Sequence, residues 1–237
     1  MSRRTIRAVF FDAGGTLLRP WPSVGAVYAA VATRHGMPAS AETMNREFRR
    51  VWKILDAERT PGGLTVSRMD WWRRLVFAIF DSAGLDGDPS VREDCFQDLH
   101  ETFTRAEAWR IFPDVADTLR ELRARKLHVG VVSNWDARLP SLLEDLGLAA
   151  QVDSITVSHE VGAEKPDGRI FLAALQAAGV DPAEAWHVGD SVSDDLEGAA
   201  AAGIQGWLID RDGAGANAPA ALRDLRDLVA CLDRSGS

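Results

Sequence analysis

The chain alternates short apolar runs with stretches in which apolar residues recur at helical spacing. Each apolar run stops at polar or turn residues, which is typical of a strand buried on both faces of a sheet. The predicted strands are 7–12, 127–133, 154–158, 185–189 and 206–210. Helical segments between the strands make successive strands parallel. The pattern therefore predicts an α/β fold, a doubly wound parallel sheet with helices on both sides.

The helices between the strands are predicted from apolar residues three and four positions apart. Glycine or proline stands next to most of these segments, as expected of helix ends and starts. The apolar positions that define the helices are, in chain order, Val115, Leu119 and Leu122; Leu139, Leu142, Leu143 and Leu146; Ile170, Ala174, Leu175 and Ala178; Leu196, Ala199 and Ala200; and Leu222, Leu225, Leu228, Val229 and Leu232. These faces are expected to pack on the sheet.

Residues 19–105 have a different pattern. They follow helical spacing, are rich in Trp and Arg, and contain no strand-like run. We therefore predict two domains. An α/β core is formed by 1–18 and 106–237, and a helical subdomain, 19–105, is inserted after the first strand. The connections are expected near 18–22 and 106–112.

Composition excludes several classes of protein. Hydrophobic residues make up 46% of the chain, enough for a packed core, and the formal net charge of −8 disfavours a nucleic-acid partner. The two cysteines, Cys95 and Cys231, cannot build a disulfide framework or a cysteine-rich metal site. No stretch approaches the roughly 20 apolar residues of a membrane span, and the N-terminal apolar run is too short for a signal peptide. We expect a cytoplasmic monomer or homodimer with no nucleic-acid or membrane partner.

Polar side chains follow four of the predicted strands. They are Asp12; Ser133 with Asn134; Lys165; and Asp190 with Asp194 and Asp195. In open parallel sheets, ligands bind outside the carboxyl ends of the strands. Carboxylates that converge there repel one another unless a cation lies among them. Mg²⁺ suits such a site, because it takes one or two carboxylates, carbonyl oxygens and waters.

These residues lie in four motifs, and the order and residues of the motifs resemble those of the haloacid dehalogenase superfamily. The motifs read "FFDAGGTLL", "VVSNWD", "EKPDGRIF" and "HVGDSVSDDLEGAAAAG". The resemblance spans most of the predicted core, and the motifs are similar to those of a phosphatase-like branch of the superfamily. It implies a Rossmann-like core, a type 1 helical cap at 19–105, and hydrolysis of a small phosphorylated molecule.

The resemblance implies phosphoryl-transfer roles for side chains at three strand ends. Asp12 would attack phosphorus and form an aspartyl-phosphate. Ser133 would hydrogen-bond a phosphoryl oxygen, and Lys165 would neutralise the charge of the nucleophile and the phosphate. Further phosphate contacts are implied at Gly15, Thr16 and Asn134.

The resemblance also implies Mg²⁺ as the cofactor. Asp12, Asp190 and the backbone carbonyl of Gly14 would ligate the ion. Either Asp194 or Asp195 would brace the ion or its waters. Spacing from Asp190 favours Asp194, whereas the "DLEGA" context favours Asp195.

Gly14 departs from the family's pattern. In the family's phosphatases this position is usually a second aspartate, which protonates the leaving oxygen and then activates the hydrolytic water. A positioned acid/base contributes about 10²–10⁴ in rate. A phosphatase with Gly14 would be slow, would be restricted to leaving groups that need no proton, or would use another acid. His35 and Glu58 are candidates for that acid.

The sequence is compatible with three functions. A phosphatase is favoured, because the nucleophile, hydroxyl, lysine and acidic positions are all present. A 2-haloacid dehalogenase also lacks the second aspartate, but such enzymes usually carry a tyrosine there and an "SSN"-like fourth motif. This chain has "GDSVSDD" instead. The main alternative to a phosphatase is a weakly active or inactive binding or regulatory protein.

Other residues that carry chemistry have plainer interpretations. His187 lies in the middle of an apolar strand and is expected to be a core histidine, and His159 is expected to be structural. Trp135 is expected either to line the cleft or to take part in surface or interdomain packing. The pair Trp71–Trp72 would either cover an apolar substrate or form a contact between cap and core or between two copies of the chain.

Overall fold

The computed structural model describes residues 5–58, 67–211, 213 and 221–236. The chain divides into two compact units. The core unit consists of Met1–Leu18 and Ile111–Ser237, and the helical unit consists of Arg19–Arg110.

Seven strands occur among the described residues. They are β1 (Ala8–Phe11), β2 (Leu18–Pro20), β3 (Trp109–Ile111), β4 (His128–Ser133), β5 (Ser154–Val157), β6 (Ala185–Gly189) and β7 (Gln205–Leu208). Five of them form the parallel sheet of the core unit, in the order β5-β4-β1-β6-β7. The predicted doubly wound α/β fold is thereby confirmed.

Ten α-helices occur among the described residues. They are α1 (Val24–Arg34), α2 (Ala41–Ala57), α3 (Arg68–Ser82), α4 (Pro89–Thr102), α5 (Val115–Ala124), α6 (Leu139–Asp145), α7 (Ser158–Val161), α8 (Gly168–Ala178), α9 (Gly198–Ala201) and α10 (Arg226–Gly236). Helices α5 to α10 belong to the core unit, and the predicted apolar residues of α5, α6 and α8 are buried there, except that Leu146 and Ala178 are half-buried. None of the described helices has the length and apolar character needed to cross a membrane.

β1 fits closely between its two neighbours. Phe10 is level with Gly130 of β4 and with His187 of β6. A Cβ on Gly130 would lie 2.7 Å from Cδ1 of Phe10, so glycine is needed to leave room for the ring. This register brings the carboxyl ends of β1, β4 and β6 to one edge of the sheet, where the residues that follow them meet.

The sequence placed the strands well and their ends less well. β6 spans the predicted residues, whereas the predicted 206–210 begins and ends earlier, at Gln205–Leu208. Ile209 instead forms an isolated bridge with Leu222. The start of the last predicted helix is corrected as well, because Leu222 and Leu225 were assigned to its face and the helix begins only at Arg226.

The helical unit has its own hydrophobic core. Helix α1 packs against α2 and α4, and α3 packs against α2. Trp71 is buried in this core, and Nε1 of Trp72 donates a hydrogen bond to the Tyr28 hydroxyl at 3.2 Å. The tryptophan pair therefore packs within the helical unit, and its predicted contact with the core or with a second copy stays a prediction.

The inserted region is not free of strands, which corrects the prediction. β2 and β3 form a two-stranded sheet where the chain leaves and re-enters the core unit. The Trp21 N–H donates to the Ala108 carbonyl at 2.8 Å and extends this pairing. Strands of three residues are too short to show a clear alternation in sequence. The helical unit runs to Arg110, past the predicted boundary at residue 105.

Candidate active site

The carboxyl end of β1 places Asp12 at the middle of the sheet edge. Its N–H donates to the Val188 carbonyl at 2.9 Å, which continues the pairing with β6. The Asp12 side chain is buried. Ser133, the last residue of β4, donates from Oγ to Oδ1 of Asp12 at 2.9 Å. The structure therefore brings these two predicted site residues into direct contact.

Lys165 is buried although it carries a charge. Its Nζ donates to Oδ1 of Asp12 and to Oδ1 of Asp195, each at 2.6 Å. Burial by itself would lower the pKa of Lys165, but the two carboxylates outweigh burial and raise the pKa. The ammonium group therefore remains charged and bridges the two carboxylates.

Asn134 positions the segment that carries Lys165. Its Nδ2 donates to the Lys165 carbonyl at 2.9 Å, and its Oδ1 accepts from the Lys165 N–H at 2.6 Å. The predicted phosphate contact of Asn134 is not tested by this geometry. The contacts seen here give Asn134 a positioning role, because they hold the lysine backbone beside the end of β4.

The structure separates Asp195 from its neighbour Asp194. Asp195 is buried. Its Oδ1 accepts from Nζ of Lys165 and lies next to Nε2 of His187, and its Oδ2 accepts from the Ser191 N–H at 3.1 Å. Asp194 instead accepts a long hydrogen bond, 3.3 Å, from Nδ2 of Asn134. Asp195 is therefore the member of the pair that joins the acidic site.

Three carboxylates form a compact acidic group. Ligand oxygens of Asp12, Asp190 and Asp195 all lie within 4.8 Å of one another. Burial raises the pKa of Asp12, and the Asp195 charge adds to this against the opposing effect of Lys165. Desolvation and the charges of Asp12 and Asp195 raise the pKa of Asp190, although Asp190 is exposed to solvent. The raised pKa values of Asp12 and Asp190 indicate that Lys165 alone does not offset the mutual repulsion of the three carboxylates.

The acidic group fits a hard divalent cation such as Mg²⁺. All its donors are carboxylate oxygens, which Mg²⁺ prefers. Both Asp195 oxygens already accept hydrogen bonds, so Asp12 and Asp190 are the better placed ligands. Gly15, at φ +80°, lies against Asp190, since a Cβ there would be 2.2 Å from Oδ2. The glycine turn therefore forms one wall of the cation site.

Comparison with known proteins identifies the family. A sequence model of haloacid dehalogenase-like hydrolases matches residues 6–203. The chain belongs to the haloacid dehalogenase-like hydrolase family. It is 35% identical over 209 residues to haloacid dehalogenase-like hydrolase domain-containing protein 3 of Bos taurus, covering 87% of this chain and 83% of the relative.

Solved structures of haloacid dehalogenase-like proteins share the architecture of this hydrolase. A HAD phosphatase from Thermococcus onnurineus is 27% identical with a TM-score of 0.64, over 96% of this chain and 98% of the other. A 2-haloacid dehalogenase from Pseudomonas syringae is also 27% identical, with a TM-score of 0.62, over 97% and 99%. Similarity alone therefore does not choose between the two chemistries, and the choice depends on the site.

The glycine turn of this hydrolase has a hydrogen bond of its own. The N–H of Gly15 donates to the Leu18 carbonyl at 2.8 Å, so the implied phosphate contact at Gly15 stays a prediction that this hydrogen bond does not support. The chain turns back into β2 at this point, and that pairing uses the Gly15 amide. Thr16 is fully buried, and its carbonyl accepts from Nη2 of Arg211 at 2.6 Å. The Thr16 side chain is thus enclosed in the protein interior.

Sequence reasoning missed the buried pair that supports this turn. Nη1 of Arg211 donates to Oδ2 of Asp114 at 2.6 Å, and the same oxygen accepts from the Leu225 N–H at 2.6 Å. The guanidinium also lies over the Phe112 ring, 4.1 Å from its centre. Arg211 therefore ties the turn after β1 to the start of α5. No sequence motif pointed to it, because the contact depends on how distant segments pack.

His187 is a core histidine that also contacts the acidic site. It is fully buried beside the Phe171 ring, and its Nε2 lies 2.8 Å from Oδ1 of Asp195. Burial lowers the pKa of His187 below its ordinary value, so the ring is neutral at pH 7. A neutral ring next to a carboxylate donates from Nε2, which helps to fix Asp195 in place. The prediction of a core position was correct, but the contact with Asp195 was missed.

The suggested substitutes for a second aspartate are engaged elsewhere in the helical unit. Nε2 of His35 lies 3.1 Å from Oδ2 of Asp98, and Glu58 forms an ion pair with Arg74 at 2.6 Å. Their role as acids thus stays a prediction, and these contacts give it no support.

Proposed function

We propose that this hydrolase is a Mg²⁺-dependent phosphatase that acts on a small phosphorylated molecule through an aspartyl-phosphate on Asp12. The observation that carries the proposal is the pairing of Asp12 with a buried, charged Lys165 beside a cation-compatible acidic group. An attacking carboxylate and a phosphate ester are both anionic. Cations on both sides of the nucleophile reduce that repulsion.

The reaction proceeds in two steps on Asp12. A carboxylate oxygen attacks phosphorus, the bond from phosphorus to the leaving oxygen breaks, and the leaving group takes the electron pair. Water then attacks the aspartyl-phosphate, which restores the carboxylate and releases inorganic phosphate. Overall, the ester and one water give an alcohol or phenol and phosphate, so atoms and charge balance.

Ser133 and Lys165 support the first step from fixed positions. Both donate to Oδ1 of Asp12, which holds the carboxylate in a fixed orientation for attack on phosphorus. The same donors are close enough to stabilise phosphoryl oxygens as negative charge develops. Bound Mg²⁺ would supply additional charge stabilisation from Asp12, Asp190 and the Gly14 carbonyl.

Gly14 limits the leaving group, because no side chain there donates a proton. A phenolate or carboxylate departs without protonation, whereas an alkoxide does not. The proposal therefore favours aryl and acyl phosphates over alkyl phosphates. A binding protein that holds a phosphorylated ligand without turnover is the alternative that Gly14 supports.

A substrate panel tests the proposed function. Phosphate esters, acyl phosphates and 2-haloacids are incubated with the protein, with and without Mg²⁺, and phosphate and halide are measured. Mg²⁺-dependent phosphate release supports a phosphatase. Halide release without metal supports a dehalogenase. Ligand binding with neither product supports the binding protein and contradicts the proposal.

Replacing Gly14 by aspartate is expected to improve turnover of alkyl phosphates. A Cβ at this position meets an ordinary contact, 3.4 Å from Cζ3 of Trp135, so the backbone at Gly14 accepts a Cβ. An added acid is expected to raise kcat/KM on glycerol phosphate by about 10²-fold. Gly14→Asn is the matched control, since it adds the same volume without an acid. An equal gain in both variants, or none in Gly14→Asp, would contradict this role for position 14.

Replacing Asp190 by asparagine is expected to remove the response of the protein to Mg²⁺ without destabilising the metal-free protein. The folded-state pKa of Asp190 is raised, so its charged form opposes folding and metal-free stability falls as pH rises through that pKa. Asp190 is exposed to solvent, which screens this effect, so the variant should melt no lower than the native protein at pH 7 without metal. Mg²⁺ should raise the Tm of the native protein and of the surface control Asp181→Asn, but not of Asp190→Asn. An undiminished Mg²⁺ response in Asp190→Asn would exclude this ligand.

A further inference from the structure

The aromatic ring of Trp135 borders the loop that carries Asp12. Trp135 stands two residues after Ser133, and Gly14 stands two residues after Asp12. Since Ser133 and Asp12 are hydrogen-bonded, the residues beyond them lie side by side. A Cβ on Gly14 would meet Cζ3 of Trp135 at 3.4 Å, so the edge of the indole faces the position where an acid is missing.

The backbone of Trp135 is held on both sides. Its N–H donates to the Ser133 carbonyl at 2.9 Å, and its carbonyl accepts from Oγ of Ser158 at 3.0 Å and from the His159 N–H at 3.3 Å. Ser158 is itself buried. The indole, which is half-buried, is therefore presented from a fixed main chain rather than from a mobile loop tip.

An indole next to a glycine gives this part of the site a distinct chemistry. The described side chains that bond to Asp12 or share its acidic group are charged or hydroxylic, namely Lys165, Asp190, Asp195 and Ser133. Trp135 adds an apolar, planar surface, on which another aromatic ring stacks or packs edge to face. It offers no acid that could protonate an alkoxide.

We propose that the substrate is the phosphate monoester of a phenol, with its aromatic ring packed against Trp135. A phenolate leaves with the electron pair of the broken bond from phosphorus to oxygen and takes its proton from water after release. The lack of an acid at Gly14 therefore slows the reaction of such a substrate only a little. Trp135 is then the residue that selects aromatic leaving groups. This proposal rests on the proposed function, because the phosphoryl group is held at Asp12 and Lys165.

Binding of phosphonates tests the proposal without any turnover. Phenylphosphonate, methylphosphonate and cyclohexylphosphonate have a carbon–phosphorus bond in place of the ester. Their Kd values are measured by calorimetry at saturating Mg²⁺. We expect the native protein to bind phenylphosphonate about tenfold more tightly than methylphosphonate. Cyclohexylphosphonate, of similar size but not planar, should lose most of that advantage.

Variants at position 135 decide whether the indole is responsible. Trp135→Leu should reduce the phenyl-over-methyl preference to within about twofold, and Trp135→Phe should keep most of it. Trp207→Leu removes an indole that packs on Trp186 in the core unit and is the matched control, expected to keep the preference. A preference that survives in Trp135→Leu, or equal binding of phenyl and cyclohexyl ligands by the native protein, would overturn the proposal.

Phosphate release separates this proposal from the proposed function. Trp135→Leu should lower kcat/KM on 4-nitrophenyl phosphate about tenfold, mainly through KM. Acetyl phosphate has no ring, so its kcat/KM should fall much less, and the ratio of kcat/KM for 4-nitrophenyl phosphate to that for acetyl phosphate should drop. If the native protein releases phosphate from neither substrate, the phosphatase function fails, and the phosphonate preference still decides the role of Trp135. If both substrates decline equally in Trp135→Leu, the ring-selection role fails while the phosphatase stands.

Discussion

Asp12→Asn is expected to abolish phosphate release, with a fall in kcat of roughly 10⁴–10⁶-fold, the scale seen when an enzyme loses its covalent nucleophile. An amide oxygen is a poor nucleophile and cannot form an aspartyl-phosphate. The loss should not come from unfolding. Because the folded-state pKa of Asp12 is raised, its charge opposes folding, and removing that charge should not lower the stability of the metal-free protein at pH 7.

Three measurements check the Asp12 prediction together. Steady-state phosphate release gives the loss of kcat, thermal unfolding shows that the fold is retained, and mass spectrometry of acid-quenched reactions locates the phosphoryl adduct. The adduct is expected on Asp12 in the native protein and should be missing from the variant. Asp145→Asn, at the exposed end of α6, is the control and should keep full activity. Turnover that persists in Asp12→Asn would rule out the covalent route.

The strand ends that form the site could be predicted from the sequence, because each buried apolar run stops at a polar residue. Parallel strands end at one edge of the sheet, so this pattern was enough to predict that Asp12, Ser133 and Asp190 lie close together. It was not enough to choose between Asp194 and Asp195. Adjacent residues at the start of a helix point in different directions, and the segment Val192–Glu197 sets which of them reaches Lys165.

The sequence could not predict contacts that depend on the path of the folded chain. The N–H of Gly15 donates to the Leu18 carbonyl as the chain turns into β2, and no sequence pattern indicated that hydrogen bond. Arg211 lies 195 residues from Thr16, and only the folded chain brings them together. In each case, the residue type was visible in the sequence and its partner was not.

The linkage of His187, Asp195 and Lys165 explains how a charged lysine is kept in the interior. Nε2 of His187 and Nζ of Lys165 share Oδ1 of Asp195, and Lys165 also reaches Asp12. Burial would raise the pKa of Asp195, but Lys165 and His187 outweigh it and hold that pKa below its ordinary value. Asp195 therefore remains a carboxylate that fixes Lys165 beside the nucleophile.

Lys165→Met is expected to destabilise the protein by about 3–5 kcal/mol, because it leaves two buried carboxylates without their counter-charge. This loss of unfolding free energy should depend on pH. Because the folded-state pKa of Asp195 is depressed, Asp195 stabilises the native protein at pH values above the ordinary carboxyl pKa, and Lys165 is the main cause of that depression. The difference in stability between the native protein and Lys165→Met should therefore be largest at neutral pH. It should become smaller as the pH falls into the carboxyl range, where the unpaired carboxylates take up protons.

Denaturant unfolding at several pH values measures this deficit, with Lys53→Met as the exposed-lysine control, expected to change stability little. A double variant, Lys165→Met with Asp195→Asn, should be more stable than Lys165→Met alone, because it removes one of the two uncompensated charges. If the two substitutions instead add their separate costs, the ion pair is not what makes Lys165 important for folding. Activity would not recover in either case, since the nucleophile loses the adjacent cation that reduces its repulsion from phosphate.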